Sequence, residues 1–266
     1  MIPEGEYFRI QALVDIPRFN IKAGDFGGLV ENESNLSQKN DCWIFKNVKI
    51  FSDAKISGDA RISGNAQIFD DAKIYGNTKI YGNAEISDNA KIYGNTKIYG
   101  NAEISDNAQI FGNAIIYNGA EVSGNAQISG NAIIYNGAEV SGNAQISGNA
   151  QISGDAVISS NAIISDKAQI YGDAQIYGDA QILGIAEVSG NAIISDGKWN
   201  RSPLYIQGSR YSIYNSKPGY IKIGCKELAF EEWLEQGEKL AKENNFTDEE
   251  IEEYKKYIKL IIDLGC

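Results

Sequence analysis

The 266-residue chain contains no histidine. That absence removes the usual general base near neutral pH and the commonest transition-metal ligand, so any catalytic scheme has to run without imidazole. Cysteine is scarce: Cys42, Cys225 and Cys266 are odd in number, far apart and without a CxxC spacing, which predicts reduced, structural thiols. Long hydrophobic runs are missing as well. The opening "MIPEGEYFRIQALVDIP" carries acids early and lacks the apolar stretch of a secretion signal, and no later segment approaches a membrane span, so a cytoplasmic chain without membrane contact is expected. Positive charge is outnumbered, with 24 Lys and Arg against 35 Asp and Glu and a net charge of −11. A plain nucleic-acid binder must replace the counterions of phosphate with its own cations, so direct nucleic-acid binding is not expected; an acidic surface instead favours solubility or basic partners. No motif calls for a cofactor or a metal.

What the chain does have is repetition. The stretch "KIYGNTKIYGNAEISDNA" occupies Lys73 to Ala90 and returns unchanged at Lys91 to Ala108. From Ile44 to Ile194 an Ile or Val stands at every sixth position without an insertion or deletion, and the residue two places before it is nearly always Ala or Thr. A period of six fits neither a helix nor a run of hairpins, yet the triplet Ala, polar, Ile alternates as a strand does. Between triplets lie "YGN", "SGN", "SDN" or "SGD", built from the residues that accept positive φ at a bend. Strand, corner, strand, corner is the pattern of a β-solenoid, in which inward Ile and Ala fill a narrow core and stacked coils pair their strands in parallel.

Units such as "IYGNAE" and "VSGNAQ" resemble the hexapeptide repeat of left-handed parallel β-helices, in which three hexads make one triangular coil. The eighteen-residue duplication agrees independently with that coil length. The resemblance implies a mainly β fold: a left-handed parallel β-helix of about nine coils, a prism roughly 40 Å long, with an N-terminal cap and a small C-terminal α+β domain. The left hand comes from the resemblance alone. "IKAGDFGGLVENESNLSQKNDCWIF", Ile21 to Phe45, is similar to the opening segment of hexapeptide-repeat proteins of phages, prophages and enteric bacteria that carry transferase or polymer-forming labels. "GSRYSIYNSKPGYIKIGCKELAFEEWLEQGEKL" resembles the small tail domain of phage hexapeptide proteins, whose tails often carry a histidine just after "IGC"; here "KELAF" stands there instead.

The expected organisation is therefore a cap with imperfect hexads at Val30 and Leu36 over residues 1–43, repeats over 44–196, and a tail over 197–266. In the tail, "LYIQGS", "YSIYNS" and "YIKIGC" read as three short strands. A helix follows through "FEEWLEQGEKLAKENN", and a second begins after Thr247 with Glu250 completing a capping box.

With eighteen residues per coil, outward residues eighteen apart stack in columns. Tyr81, Tyr99, Tyr117 and Tyr135 align, flanked by Lys79, Lys97, Ile115 and Ile133. Tyr75, Tyr93 and Phe111 align beside Lys73, Lys91 and Gln109. Glu85, Glu103, Glu121 and Glu139 form an acidic column, and Asp70, Asp88 and Asp106 an acidic row at one corner. Stacked rings stabilise neighbouring strands by themselves. Ile115 and Ile133 beside Tyr117 and Tyr135 also expose an apolar strip, a candidate interface to which Trp233 of the tail is added. The mixture of Lys and Tyr could serve as a single-strand stacking platform, which the nearby acids oppose. The carboxylate column is a solvated face, a weak cation site, or an imitation of nucleic-acid phosphates.

Three function classes follow. The first is a non-catalytic acidic solenoid that binds a protein partner or itself, as a dimer or trimer. The second is an inhibitor of a nucleic-acid-handling or defence protein that uses the acidic surface. The third is an acyltransferase-like enzyme: many left-handed β-helix proteins are trimeric acyltransferases with a histidine base on a projecting loop. This chain has neither the histidine nor a loop insertion among its hexads, so an enzyme is the less expected outcome. Cys225 has no base beside it in the sequence and reads as a buried small hydrophobe.

Overall fold

Each hexad closes the same way in the computed structural model, which describes residues 1–264. In Ala84–Asn89 the Ala84 methyl and the Ile86 side chain point inward and are fully buried, while Glu85 points out. The amides then bond to the next coil: Glu85 N donates to Ala102 O at 3.0 Å and Ser87 N to Ile104 O at 3.0 Å. Register is constant, Glu85 pairing with Gln67 on one side and Glu103 on the other. A one-residue slip would turn every buried Ile to solvent, so the alternation itself fixes the pairing.

From Ile50 to Val188, corners fall two residues after the core Ile or Val, in the left-handed region. At Gly82 (φ 85°) an added Cβ would come within 2.8 Å of the Gly100 backbone N and O, so both the dihedral and the stacking of corner on corner demand glycine. Beside the corners, asparagines zip successive coils together: Asn95, Asn113 and Asn131 each donate Nδ2 to the Oδ1 of the asparagine one coil on, at 3.2, 3.0 and 2.9 Å.

Three parallel sheets result, giving the triangular section of a parallel β-solenoid. We name them by their outward residues: the glutamate face, with strands such as Glu85–Ile86; the lysine face, with Lys73–Ile74; and the tyrosine face, with Lys79–Gly82. The stack has about ten coils, one more than the regular hexads supply, because Val30 pairs with Ile50 and Leu36 bridges to Ile56 as a first, imperfect coil. At the other end Trp199 pairs with Ile182 and fills the last inward position of the lysine face.

Both ends are covered. Tyr7–Gln11 lies antiparallel to Phe26–Val30, and Ile10, Ala12, Phe19 and Ile21 join the solenoid core from the N-terminal side. The tail is a four-stranded antiparallel sheet (Tyr205–Gln207, Ser212–Lys217, Tyr220–Ile223, Lys226–Ala229) followed by α1 (Phe230–Glu243) and α2 (Asp248–Leu264). The sequence predicts only three of these strands. The fourth is "KELA", an edge strand whose first two residues are exposed and charged and which returns over a two-residue turn at Gly224 and Cys225. The capping box of α2 is formed, Glu250 N donating to Thr247 Oγ1 and Thr247 N to Glu250 Oε2. Tyr214 of the tail sheet sits inside the solenoid core cluster, and burial pushes its phenol up to about 12. Among the described residues no helix is long and apolar enough to cross a membrane.

Candidate functional site: three ordered faces

On the tyrosine face the four rings form one column. Tyr81 to Tyr99, Tyr99 to Tyr117 and Tyr117 to Tyr135 are 4.8, 4.7 and 5.1 Å between centroids, with planes 4°, 13° and 4° apart. Small angles repeated rung after rung keep the four rings parallel along the column. Because each ring covers the face of the next, what points to solvent is ring edges, and a nucleobase has no free face to stack on within the column. The outer faces of Tyr81 and Tyr135, whose neighbours one coil away are Ser63 and Ser153, are the ones no ring of the column covers. Burial by the neighbouring rings, then the adjacent phenols, raise the Tyr99 and Tyr117 hydroxyls above their ordinary value, so they stay protonated donors.

Alongside this column runs another, Lys79, Lys97, Ile115 and Ile133 in direct register, preceded by Arg61 and followed by Gln151, Gln169 and Glu187. Ile115 and Ile133 are half-buried; Lys79, Lys97, Gln151, Gln169 and Glu187 are exposed. Arg61 lies over the Phe45 ring, 4.9 Å from its centroid. None of these side chains takes part in the ion pairs found among the described residues.

On the lysine face, Tyr75, Tyr93 and Phe111 stack at 5.0 and 5.1 Å beside Lys73, Lys91 and Gln109. The glutamate face holds Glu85, Glu103, Glu121 and Glu139 in register, none with a cationic partner among the described residues. Partial burial, then the charges of Glu103 and Glu139 one rung away on either side, raise the Glu121 carboxyl above its ordinary value. Among the described residues no cluster of three or more His, Cys, Asp or Glu is placed to hold a metal ion.

The acidic corner row has an architectural role. Asp70, Asp88 and Asp106 all adopt positive φ, at 54°, 56° and 56°. The Asp88 carboxylate accepts from Asp106 N at 3.2 Å and that of Asp106 from Gly124 N at 2.9 Å, so these carboxylates stitch one corner to the next. Asn35 does related work in the first coil and carries no sequence signal beyond "NESN": fully buried, it donates to Ser52 O and Ala54 O at 2.9 Å and accepts from Asn32 N.

Trp233 is removed from the candidate interface. It is buried in the tail core, its indole N–H given to Ile221 O at 2.8 Å, because α1 turns that side toward the sheet. Cys225 is the reverse case: the expected buried hydrophobe is exposed on the turn before the fourth tail strand. It borders a mostly apolar cavity of about 660 Å³ between α1, α2 and that turn, with Tyr211, Leu240, Phe246 and Ile258 on its walls. Cys42 is buried, and burial pushes its thiol up to about 11. Cys266 lies outside the described residues.

With this geometry in view, a repeat profile described as the YdcK beta solenoid repeat matches residues 108–124, 126–142 and 150–166, all within the coil stack. No curated protein matches the chain. Among solved structures, a UDP-N-acetylglucosamine acyltransferase of Francisella novicida is 18% identical over 83% of this chain and 73% of that one, with a TM-score of 0.27. At that identity and score no residue role passes from it to this chain.

Proposed function

We propose that the chain is a non-catalytic β-solenoid interaction protein whose working surface is the tyrosine face, used for self-association. One observation carries the reading: Ile115 and Ile133 lie side by side, partly open to solvent, between Lys97 and Gln151. The fold does not need them there. Rungs with Gln at that position keep the same pairing and the same buried Ile and Ala, and rungs with Lys keep the pairing and the Ile with Thr78 or Thr96 in place of Ala, so the two isoleucines contribute an apolar strip and nothing to the core. Outward Ile163, by contrast, stands between Gln145 and Gln181 and forms no strip.

Changing Ile115 and Ile133 together to Lys tests this. The expected result, read by light scattering and sedimentation, is a shift to monomer mass with an unchanged far-UV spectrum. An unchanged mass distribution would overturn the reading.

The glutamate face supports a second reading, an inhibitor that fills a basic groove of a nucleic-acid-handling or defence protein. Four stacked carboxylates without cationic partners among the described residues favour it. It requires binding that weakens steeply with salt. The acyltransferase reading is left without a base, since the chain has no histidine to supply one.

A further inference from the structure

The outward column of the tyrosine face begins at Trp43, which is buried, and beyond it reads Arg61, Lys79, Lys97, Ile115, Ile133, Gln151, Gln169, Glu187. Turned end for end about its centre, between Ile115 and Ile133, it is complementary to itself. Ile115 then meets Ile133 of the second copy, Lys97 meets Gln151, Lys79 meets Gln169, and Arg61 meets Glu187. The neighbouring column obeys the same rule: Tyr117 meets Tyr135, Tyr81 meets Tyr171, and Ser63 meets Ser189, while Tyr99 falls on the smaller Ser153. We propose that the tyrosine face is an isologous two-fold interface with a second copy of this chain, the two prisms antiparallel and the axis lying between the Ile115 and Ile133 rungs. This rests on the self-association reading above and adds partner, symmetry and register to it.

Charge selects this arrangement over the other face-to-face two-fold. An axis along the prism would keep the rungs level: centred on this column it sets Lys79 against Lys79 and Lys97 against Lys97, which like-charge repulsion disfavours, and centred between the two outward columns it sets Lys79 and Lys97 against Tyr81 and Tyr99 and leaves Arg61 and Glu187 without their mutual pairing. The remaining faces lack the property. Any end-for-end match centred on the glutamate column sets carboxylate against carboxylate, and the lysine face has cations at both ends, Lys55, Lys73 and Lys91 at one and Lys198 at the other. The four rungs from Tyr81 to Tyr135, whose neighbouring rings lie within 13° of parallel, offer a straight contact surface. At about 34 Å by roughly 12 Å the contact covers about 400 Å² per copy, half the usual figure, so a dimer that forms in the micromolar range is expected.

The test uses the full chain with Cys225 and Cys266 changed to Ser. Lys97→Cys and Gln151→Cys versions are prepared separately, mixed, and treated with a short bis-maleimide. The antiparallel register brings position 97 of one copy opposite position 151 of the other, whereas identical positions are about three rungs out of step, roughly 14 Å along the axis. Cross-linked dimer in the mixture and little in either protein alone is the expected result. Cross-linking of the Lys97→Cys protein with itself, in a chain that does dimerise, overturns the antiparallel register and leaves self-association standing. Absence of any concentration-dependent dimer in the unmodified chain overturns both. Charge reversal gives a check without cross-linker: Arg61→Glu should weaken the dimer roughly threefold to tenfold, and adding Glu187→Arg should restore it. Failure of the second change to restore association also overturns the pairing.

Discussion

The solenoid and the tail reach a buried core by opposite routes. In the solenoid one Ile or Val and one Ala, or Thr at positions 78 and 96, per hexad pack against their counterparts one coil away, and almost every bond runs to the adjacent coil. In the tail a handful of unlike residues, Ile213, Ile221, Trp233, Tyr254, Ile258 and Ile261, meet from a sheet and two helices, and no position repeats another. A core of identical nearest-neighbour interfaces spreads stability along the stack, so a single loss is shared. A core of unlike parts concentrates it.

The largest expected effect follows from that contrast. Trp233→Ala removes the biggest buried side chain of the tail and leaves Ile221 O without its indole donor, at a cost of about 3–5 kcal/mol. Ile104→Ala in mid-stack removes a comparable fraction of one coil, at about 2–4 kcal/mol. Hydrogen exchange should show tail peptides losing protection in the Trp233 variant while coils around residues 100–180 keep theirs. If the coils lose protection together with the tail, the two regions are one cooperative unit and the contrast fails.

The same contrast governs how much of the molecule is legible in its sequence. The solenoid is legible because its signal is a period: Ile at every sixth place, Gly or Asn at the bends, and a duplication that announces the coil length. Columns of outward residues follow from that length by counting, so the Tyr, Lys and Glu faces are legible too. What escapes lies where the period breaks or a residue serves a contact it does not announce. Trp199 continues the Ile column after a shortened hexad. The fourth tail strand hides in "KELA" because an edge strand needs no apolar alternation. Trp233 and Cys225 exchange their expected places, since burial in an aperiodic tail depends on how α1 and the turn at Gly224 are set, which no local pattern reports. Asp88 and Asp106 look like free charge along the chain, and only the stack shows each accepting an amide of the next coil.

That corner supplies the intermediate effect. Asp106→Ala puts a methyl-bearing residue at φ 56° and removes the acceptor of Gly124 N, at a cost of about 2 kcal/mol. Asp106→Gly removes the same acceptor but relieves the dihedral, and should cost about 1 kcal/mol less. Urea midpoints at constant slope measure both. Equal losses for Ala and Gly would mean that the carboxylate, not the left-handed bend, sets the cost at this corner.

The smallest effect compares the charges of the two regions. Glu121 is easier to protonate in the folded chain than at its ordinary 4.5, through partial burial and then Glu103 and Glu139. For a carboxyl raised in this way the penalty is present above the raised value and disappears as pH falls through it toward 4.5. Glu121→Gln should therefore stabilise the chain at pH 7 by a few tenths of a kcal/mol, less in high salt, and by nothing measurable once the pH is below about 4. In the tail the sign reverses. Hydrogen bonds from Lys242 and Lys255 hold the exposed Glu238 carboxyl down to about 2, so its contribution is present above 4.5 and is lost as pH falls toward 2. Acid should thus relax repulsion on the glutamate face while loosening the tie between α1 and α2. Hydrogen exchange at stepped pH should show tail protection declining first, and a decline that begins in the coils would reverse the assignment.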